Sequence, residues 1–114
     1  MDFNTKAPIF MQIADLIIDG ILVENLKAGE RIQSVREMAS QVQVNPNTVQ
    51  RSFTYLQDRG IIFNQRGVGF FVADDAFAKS QKLKKDDFIK NYLPEFVRRM
   101  KLLKLNLEDI KKHF

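Results

Sequence analysis

Residues 34–72 read SVREMASQVQVNPNTVQRSFTYLQDRGIIFNQRGVGFFV, and the start and stop signals in this stretch fix an order of elements. Ser34-Val35-Arg36-Glu37 is a capping box, in which the serine hydroxyl takes the backbone N–H of Glu37 and the glutamate reaches back. The helix it opens carries an apolar stripe at Val35, Met38, Ala39 and Val42. A second start follows within a few residues, with Asn45 as cap and Pro46 at the first helical position. That helix stops at Gly60 and has its core stripe at Val49, Phe53 and Leu56. The period then changes. Ile61-Ile62-Phe63 and Phe70-Phe71-Val72 flank Gln65-Arg66-Gly67-Val68-Gly69, the pattern of a short β-hairpin with glycines at its tip.

The side chains that the second of these helices leaves free indicate what it does. At 100° per residue, Val49, Phe53 and Leu56 fall within about 60° of one another. Asn47, Arg51, Thr54 and Asp58 fall opposite, with Thr48 and Gln50 on the flanks. Amides, a hydroxyl and a guanidinium at the N-terminal half suit base edges and phosphates, and a recognition helix enters the major groove by that end. Exposed N–H groups at the helix start would add to the attraction for phosphate. Asp58, the repulsive group, lies at the far end. Arg36 points away from its own helix's stripe toward a phosphate or base, and Arg66 with Gly67 at the hairpin tip suits a minor groove. The Phe70-Phe71 pair is expected to pack in the core and on the strand.

Working outward, Pro8 opens a first helix with Ile9, Ile13, Leu16 and Ile17 at helical spacing, and Phe10, Ile18 and Leu22 widen its apolar arc. Leu26 to Glu30 closes it as a turn. On the other side, Asp74-Asp75 cap a helical stretch to about Asn91. Pro94 argues against one unbroken helix, so a second helix is expected from about Tyr92 to Lys104 and a short last one capped by Asn106. The chain of 114 residues therefore reads as mainly α with a small β-hairpin, a winged helix-turn-helix over residues 1–74 followed by a helical dimerisation tail over 75–114.

Composition narrows the function classes. A 45% hydrophobic and 28% charged chain is that of a globular domain. It has no cysteine and a single histidine, His113, which removes thiol nucleophiles, Cys-based metal sites and multi-His centres. Neither a membrane span nor a signal peptide is legible. No catalytic residue, metal or cofactor is expected, and a cytoplasmic, non-enzymatic protein remains. The doublets Asp74-Asp75, Asp86-Asp87 and Glu108-Asp109 fit helix starts, where carboxylates complement the dipole. The net charge of +4 divides unevenly: residues 1–75 hold 7 Lys/Arg against 9 Asp/Glu, and residues 76–114 hold 11 against 5. Bulk charge points to the tail and the motifs to the front. Where the cations point, not their sum, decides.

The stretch Leu26 to Val72 resembles the winged-helix domain of the GntR family of bacterial transcription regulators, and Ala7-Pro8-Ile9-Phe10-Met11-Gln12-Ile13 resembles that family's first helix. The VNPNTVQ wording and the short tail look most like its YtrA-like subfamily. The resemblance implies DNA contacts at Ser34 and Arg36, matching a Ser-x-Arg pattern, at Thr48 before the core aliphatic, and at the Arg66-Gly67 wing tip. Two positions depart: Pro46 stands where many relatives have a base-reading arginine, and Gln33 replaces a common proline. The weight therefore shifts to Asn45, Asn47, Gln50 and Arg51.

From Phe88 to Phe114, 13 of 27 residues are apolar or aromatic. Two or three short helices cannot hide that surface on themselves, and a second copy is the simplest cover. Phe88, Tyr92, Phe96, Met100, Leu103, Leu107 and Ile110 are the expected interface, and the subfamily resemblance also implies dimerisation through such a tail. The partners expected are double-stranded DNA and a second copy. The length leaves no room for the larger effector domain of other branches. Two other classes fit the sequence less well. A winged helix that docks proteins would show large apolar anchors on its free face, and this one shows amides, Thr and Arg. A sensor holding a small ligand among the tail helices would need a convergent polar cluster, and the tail has none. The expectation is a dimeric repressor on a palindromic operator.

Overall fold

Capping chemistry sets the helix boundaries in the computed structural model, which describes residues 7–114. Helix α1 spans Ile9–Leu22, α2 Val35–Val42 and α3 Pro46–Asp58. The α2 box forms as read: Glu37 N–H donates to Ser34 Oγ at 3.0 Å and Ser34 N–H to Glu37 Oε1 at 3.0 Å. At α3, Asn47 N–H donates to Asn45 Oδ1 at 2.7 Å, with Pro46 in the first turn. Pro8 sits one position earlier than its sequence reading, in the extended cap geometry (φ −56°, ψ 149°) before α1.

The turn between α2 and α3 is made without glycine. Gln43 takes the left-handed conformation at φ 57°, and Val44 N–H donates to the Ala39 carbonyl at 3.0 Å. Helix α3 ends in a Schellman motif: Ile61 N–H reaches the Leu56 carbonyl at 3.0 Å and Gly60 N–H the Gln57 carbonyl at 2.9 Å. Gly60 supplies the φ of +72° that this ending requires.

Helix α1 departs from its predicted face. The buried arc runs through Ile13, Ala14, Ile17, Ile18 and Ile21, while Ile9 and Leu16 are exposed at 51% and 61%. Ala14, Ile18 and Ile21 pull the centre of that arc round, leaving Ile9 and Leu16 about 110° or more away. The core against it comes from Val49, Phe53 and Leu56 of α3, Ala39 of α2, and Ile61, Ile62 and Val72.

Strands β1 (Ile62–Gln65) and β2 (Gly69–Val72) pair antiparallel with Ile62 opposite Val72 and Gln65 opposite Gly69. β2 has a second neighbour that the sequence reading missed. Gly29 N–H donates to the Val72 carbonyl at 2.8 Å, Val72 N–H to Glu30 at 2.9 Å, and Ile32 N–H to Phe70 at 2.9 Å. Residues 29–32 thus continue the turn after α1 as a short edge, too brief to show alternation. Phe70 packs edge-on against Phe53 with centroids 4.9 Å apart, which ties the hairpin to α3. Phe71 stacks on Phe63 at 5.8 Å on the other face.

The described chain divides into two compact units, one ending at Gln81 and one covering Lys82–Phe114. Helix α4 runs Ala76–Asp87, α5 Leu93–Leu102 and α6 Leu107–Lys111. The break expected near Pro94 does not occur. A π-helical turn at Phe88–Tyr92 joins α4 to α5, and Leu93 N–H donates to Phe88, five residues back. Pro94 lacks the N–H that would bond Lys90, and the helix widens ahead of it instead of stopping. Asn106 caps α6 through Asp109 N–H at 3.1 Å, with the reciprocal bond at 2.9 Å. No helix among the described residues is long and apolar enough to cross a membrane.

Candidate nucleic-acid interface

Helix α3 has one buried face, one occupied flank and one bare edge. Val49, Phe53 and Leu56 are fully buried. The flank toward α1 holds Ser52, whose hydroxyl donates to the Phe10 carbonyl at 2.6 Å, and Tyr55, whose ring meets Phe10 edge-on at 6.2 Å. Asn47, Gln50, Arg51, Thr54 and Asp58 are exposed, and Thr48 is half-buried. Gln50 lies along the helix surface, its Nε2 donating to Thr54 Oγ1 at 3.4 Å. That long contact leaves its amide free to turn toward a base edge. Asn47 spends its backbone N–H on the cap, and its exposed side chain makes no hydrogen bond among the described residues.

Two expectations about this end change. The N–H groups read as exposed are satisfied: Asn47 N–H by Asn45 Oδ1, Thr48 N–H by the Asn45 carbonyl at 2.9 Å, and Pro46 has none. The helix start therefore offers no bare N–H at these positions, and only side chains are free to meet a phosphate there. Asn45 uses its oxygen in the cap and presents only its amide N–H groups. Arg51 does not extend along the free edge but lies over the Phe10 ring, 4.0 Å from the centroid.

Around α3 stand three more groups. Ser34 accepts with its oxygen and keeps its hydroxyl hydrogen to donate. Arg36, in the first turn of α2, is exposed. Beside it, the Glu37 carboxyl is held below the usual carboxylate range, first by the backbone N–H of Ser34, then by the Ser34 side chain, with a smaller pull from Arg31. Arg66 is exposed at the wing tip, where Val68 N–H closes the turn on the Gln65 carbonyl at 2.9 Å and Gly67 has φ 79°.

Sequence reasoning missed Arg31. Its Nε lies 2.8 Å from where a Cβ on Gly69 would stand, and Gly69 has φ 139°, so an exposed cation is seated against the base of the wing. The one trace in the sequence is the second glycine of the tip, needed because its backbone angle disfavours a side chain.

In the tail, the residues expected at a dimer interface are open. Phe88, Phe96, Leu103 and Leu107 are exposed at 53%, 47%, 69% and 75%, and Tyr92, Met100 and Ile110 are half-buried. Part of the tail's positive charge is paired locally. Lys82 bonds Asp86 at 2.8 Å, and Glu95 bonds Arg98 at 2.7 Å and Arg99 at 3.2 Å, which holds the Glu95 carboxyl at about 2. These cations offer less to a polyanion than their count suggests.

A capped helix, a three-residue turn, a second capped helix with a polar outer edge, and a hairpin packed on it define a winged helix-turn-helix. The comparisons narrow this class. The model of the gntR family of bacterial regulatory proteins matches residues 10–72. The chain is 39% identical to the HTH-type transcriptional regulator YhcF of Bacillus subtilis over 108 residues, 95% of this chain and 88% of that one. It is 34% identical to the HTH-type transcriptional repressor YtrA of the same organism over 76 residues, 67% of this chain and 58% of YtrA. A crystal structure of a GntR-family protein from Bacteroides thetaiotaomicron is similar with TM-score 0.78 at 42% identity, covering 92% of this chain and 91% of that one. The chain belongs to the gntR family and is a DNA-binding transcription regulator.

Proposed function

We propose that the protein is a cytoplasmic, homodimeric repressor that binds a palindromic operator, with residues 1–74 holding the DNA and 75–114 joining the two copies. The observation that carries the dimer is burial: no residue from Lys82 to Phe114 is buried, although this unit is mostly helical and rich in large apolar side chains. A helical unit with no interior of its own needs a partner surface, and an isologous two-fold pairing of like faces is the commonest solution. Two copies of α3 then present the same edge twice, which a two-fold symmetric operator matches.

In each half-site, Asn47 and Gln50 read base edges. Ser34, Arg36, Asn45, Thr48 and Arg51 meet the phosphates of the flanking strands, and Arg66 with Gly67 enters the neighbouring minor groove. A dimer bound at an operator acts most simply by standing where polymerase must bind. The repressor named YtrA among the relatives supports that direction. Sedimentation with and without an operator duplex tests the proposal. A dimer that binds one duplex with two-fold footprints supports it, and a monomer at micromolar concentration with a single-sided footprint refutes it.

A further inference from the structure

Three groups from one flank of α3 converge on a single residue of α1. The Arg51 guanidinium lies 4.0 Å from the Phe10 ring centroid, the Tyr55 ring meets that ring edge-on at 6.2 Å, and the buried Ser52 hydroxyl donates to the Phe10 carbonyl at 2.6 Å. The junction is fixed on both sides, because Phe10 is in the first turn of α1 and half-buried. We infer that Phe10 is a positioning residue: it holds Arg51 on the flank of α3 as a contact to a backbone phosphate, leaving base readout to Asn47 and Gln50. This rests on the DNA-binding reading above and refines it.

The groove geometry supplies the reason. A helix with its side chains is roughly 10–12 Å across and the major groove about 12 Å wide. The centre of an inserted helix therefore meets base edges, and its flanks meet the sugar-phosphate walls. Arg51 sits between the bare edge and the α1 flank, and its long side chain could serve either. Stacking decides. A guanidinium held over a ring face loses water mainly on that side and keeps N–H donors for another partner. Among the described residues no carboxylate pairs with Arg51, so its charge is available. Reaching for a base would forfeit the ring; meeting a phosphate beside α1 would not.

The test is a double-mutant cycle in the full chain with Phe10→Leu, Phe10→Tyr and Arg51→Ala. Affinity is read by anisotropy on a duplex selected from a random pool and on a random duplex, across salt concentrations. Phe10→Leu should weaken both duplexes alike, roughly two- to five-fold, Phe10→Tyr should retain wild-type affinity, and Phe10→Leu should add nothing in the Arg51→Ala background. Arg51→Ala should lower the salt slope by about one unit with base preference unchanged. A full Phe10→Leu effect in the Arg51→Ala background would overturn the inference, as would a relaxed consensus with Arg51→Ala. If Phe10→Leu does not fold, the Arg51→Ala slope and consensus decide alone. Wild-type protein that binds no duplex would instead bring down the DNA-binding reading itself.

Discussion

Gln50 and Arg66 stand for the two kinds of contact proposed for the interface. Gln50 is exposed in the first half of α3 with one long internal hydrogen bond. Gln50→Ala should cost about 1–3 kcal/mol of discrimination at one base pair per half-site and leave the salt slope unchanged, as measured by binding to single-substituted duplexes. Arg66 is exposed at the wing tip. Arg66→Ala should weaken selected and random duplexes alike and reduce the salt slope by about one unit; an unchanged slope removes the wing from the contacts. Most of these residues were legible, because caps and core stripes leave little freedom for the remaining positions. Arg51 was legible as a cation and not as a stacked one: its partner Phe10 lies 41 positions away in the sequence, beyond any local pattern. Arg31 was missed for the same reason, since it is defined by Gly69 across the sheet.

At the scale of elements, the α2 cap and the α3 core have separate signatures. The Glu37 carboxyl titrates below its usual range because Ser34 N–H favours its charged form. Its contribution to α2 is complete above the ordinary carboxylate value and is lost as pH falls through the lowered one. Helix content followed by circular dichroism should therefore drop on acidification, and Glu37→Gln should flatten that part of the profile. An identical profile for the variant would assign the drop to other groups. Phe53 is fully buried between α3's neighbours and the Phe70 ring. Phe53→Ala should cost about 3–5 kcal/mol in urea unfolding, and a smaller cost would mean that the hairpin refills the space. Elements with start and stop signals were readable: the Ser34 and Asn45 caps, the Gly60 stop and the Asn106 cap all act as read. The strip at residues 29–32 and the π turn at Phe88–Tyr92 were not. The first is recognisable only by its pairing to β2, and the second replaces a break by a change of hydrogen-bond register that no single residue announces.

In the proposed dimer, the unit from Lys82 to Phe114, which has no buried residue, is covered by its copy, and that cover doubles the DNA-reading edge. Met100→Asp or Leu103→Asp should yield monomers by sedimentation, with operator affinity falling because one half-site is lost. Leu103 is 69% exposed, so that variant leaves the chain's own packing intact; a dimeric Leu103→Asp protein places the interface elsewhere. The most direct measurement is selection of bound duplexes from a random DNA pool by the wild type and by a chain with Asn47 and Gln50 both replaced by alanine. The wild type should enrich a two-fold symmetric sequence with half-site centres one or more helical turns apart, about 34 Å per turn, and the variant should lose preference at matching positions in both halves. A pool without enrichment, or an enriched sequence that the double replacement leaves unaltered, would contradict the assignment of base reading to the edge of α3.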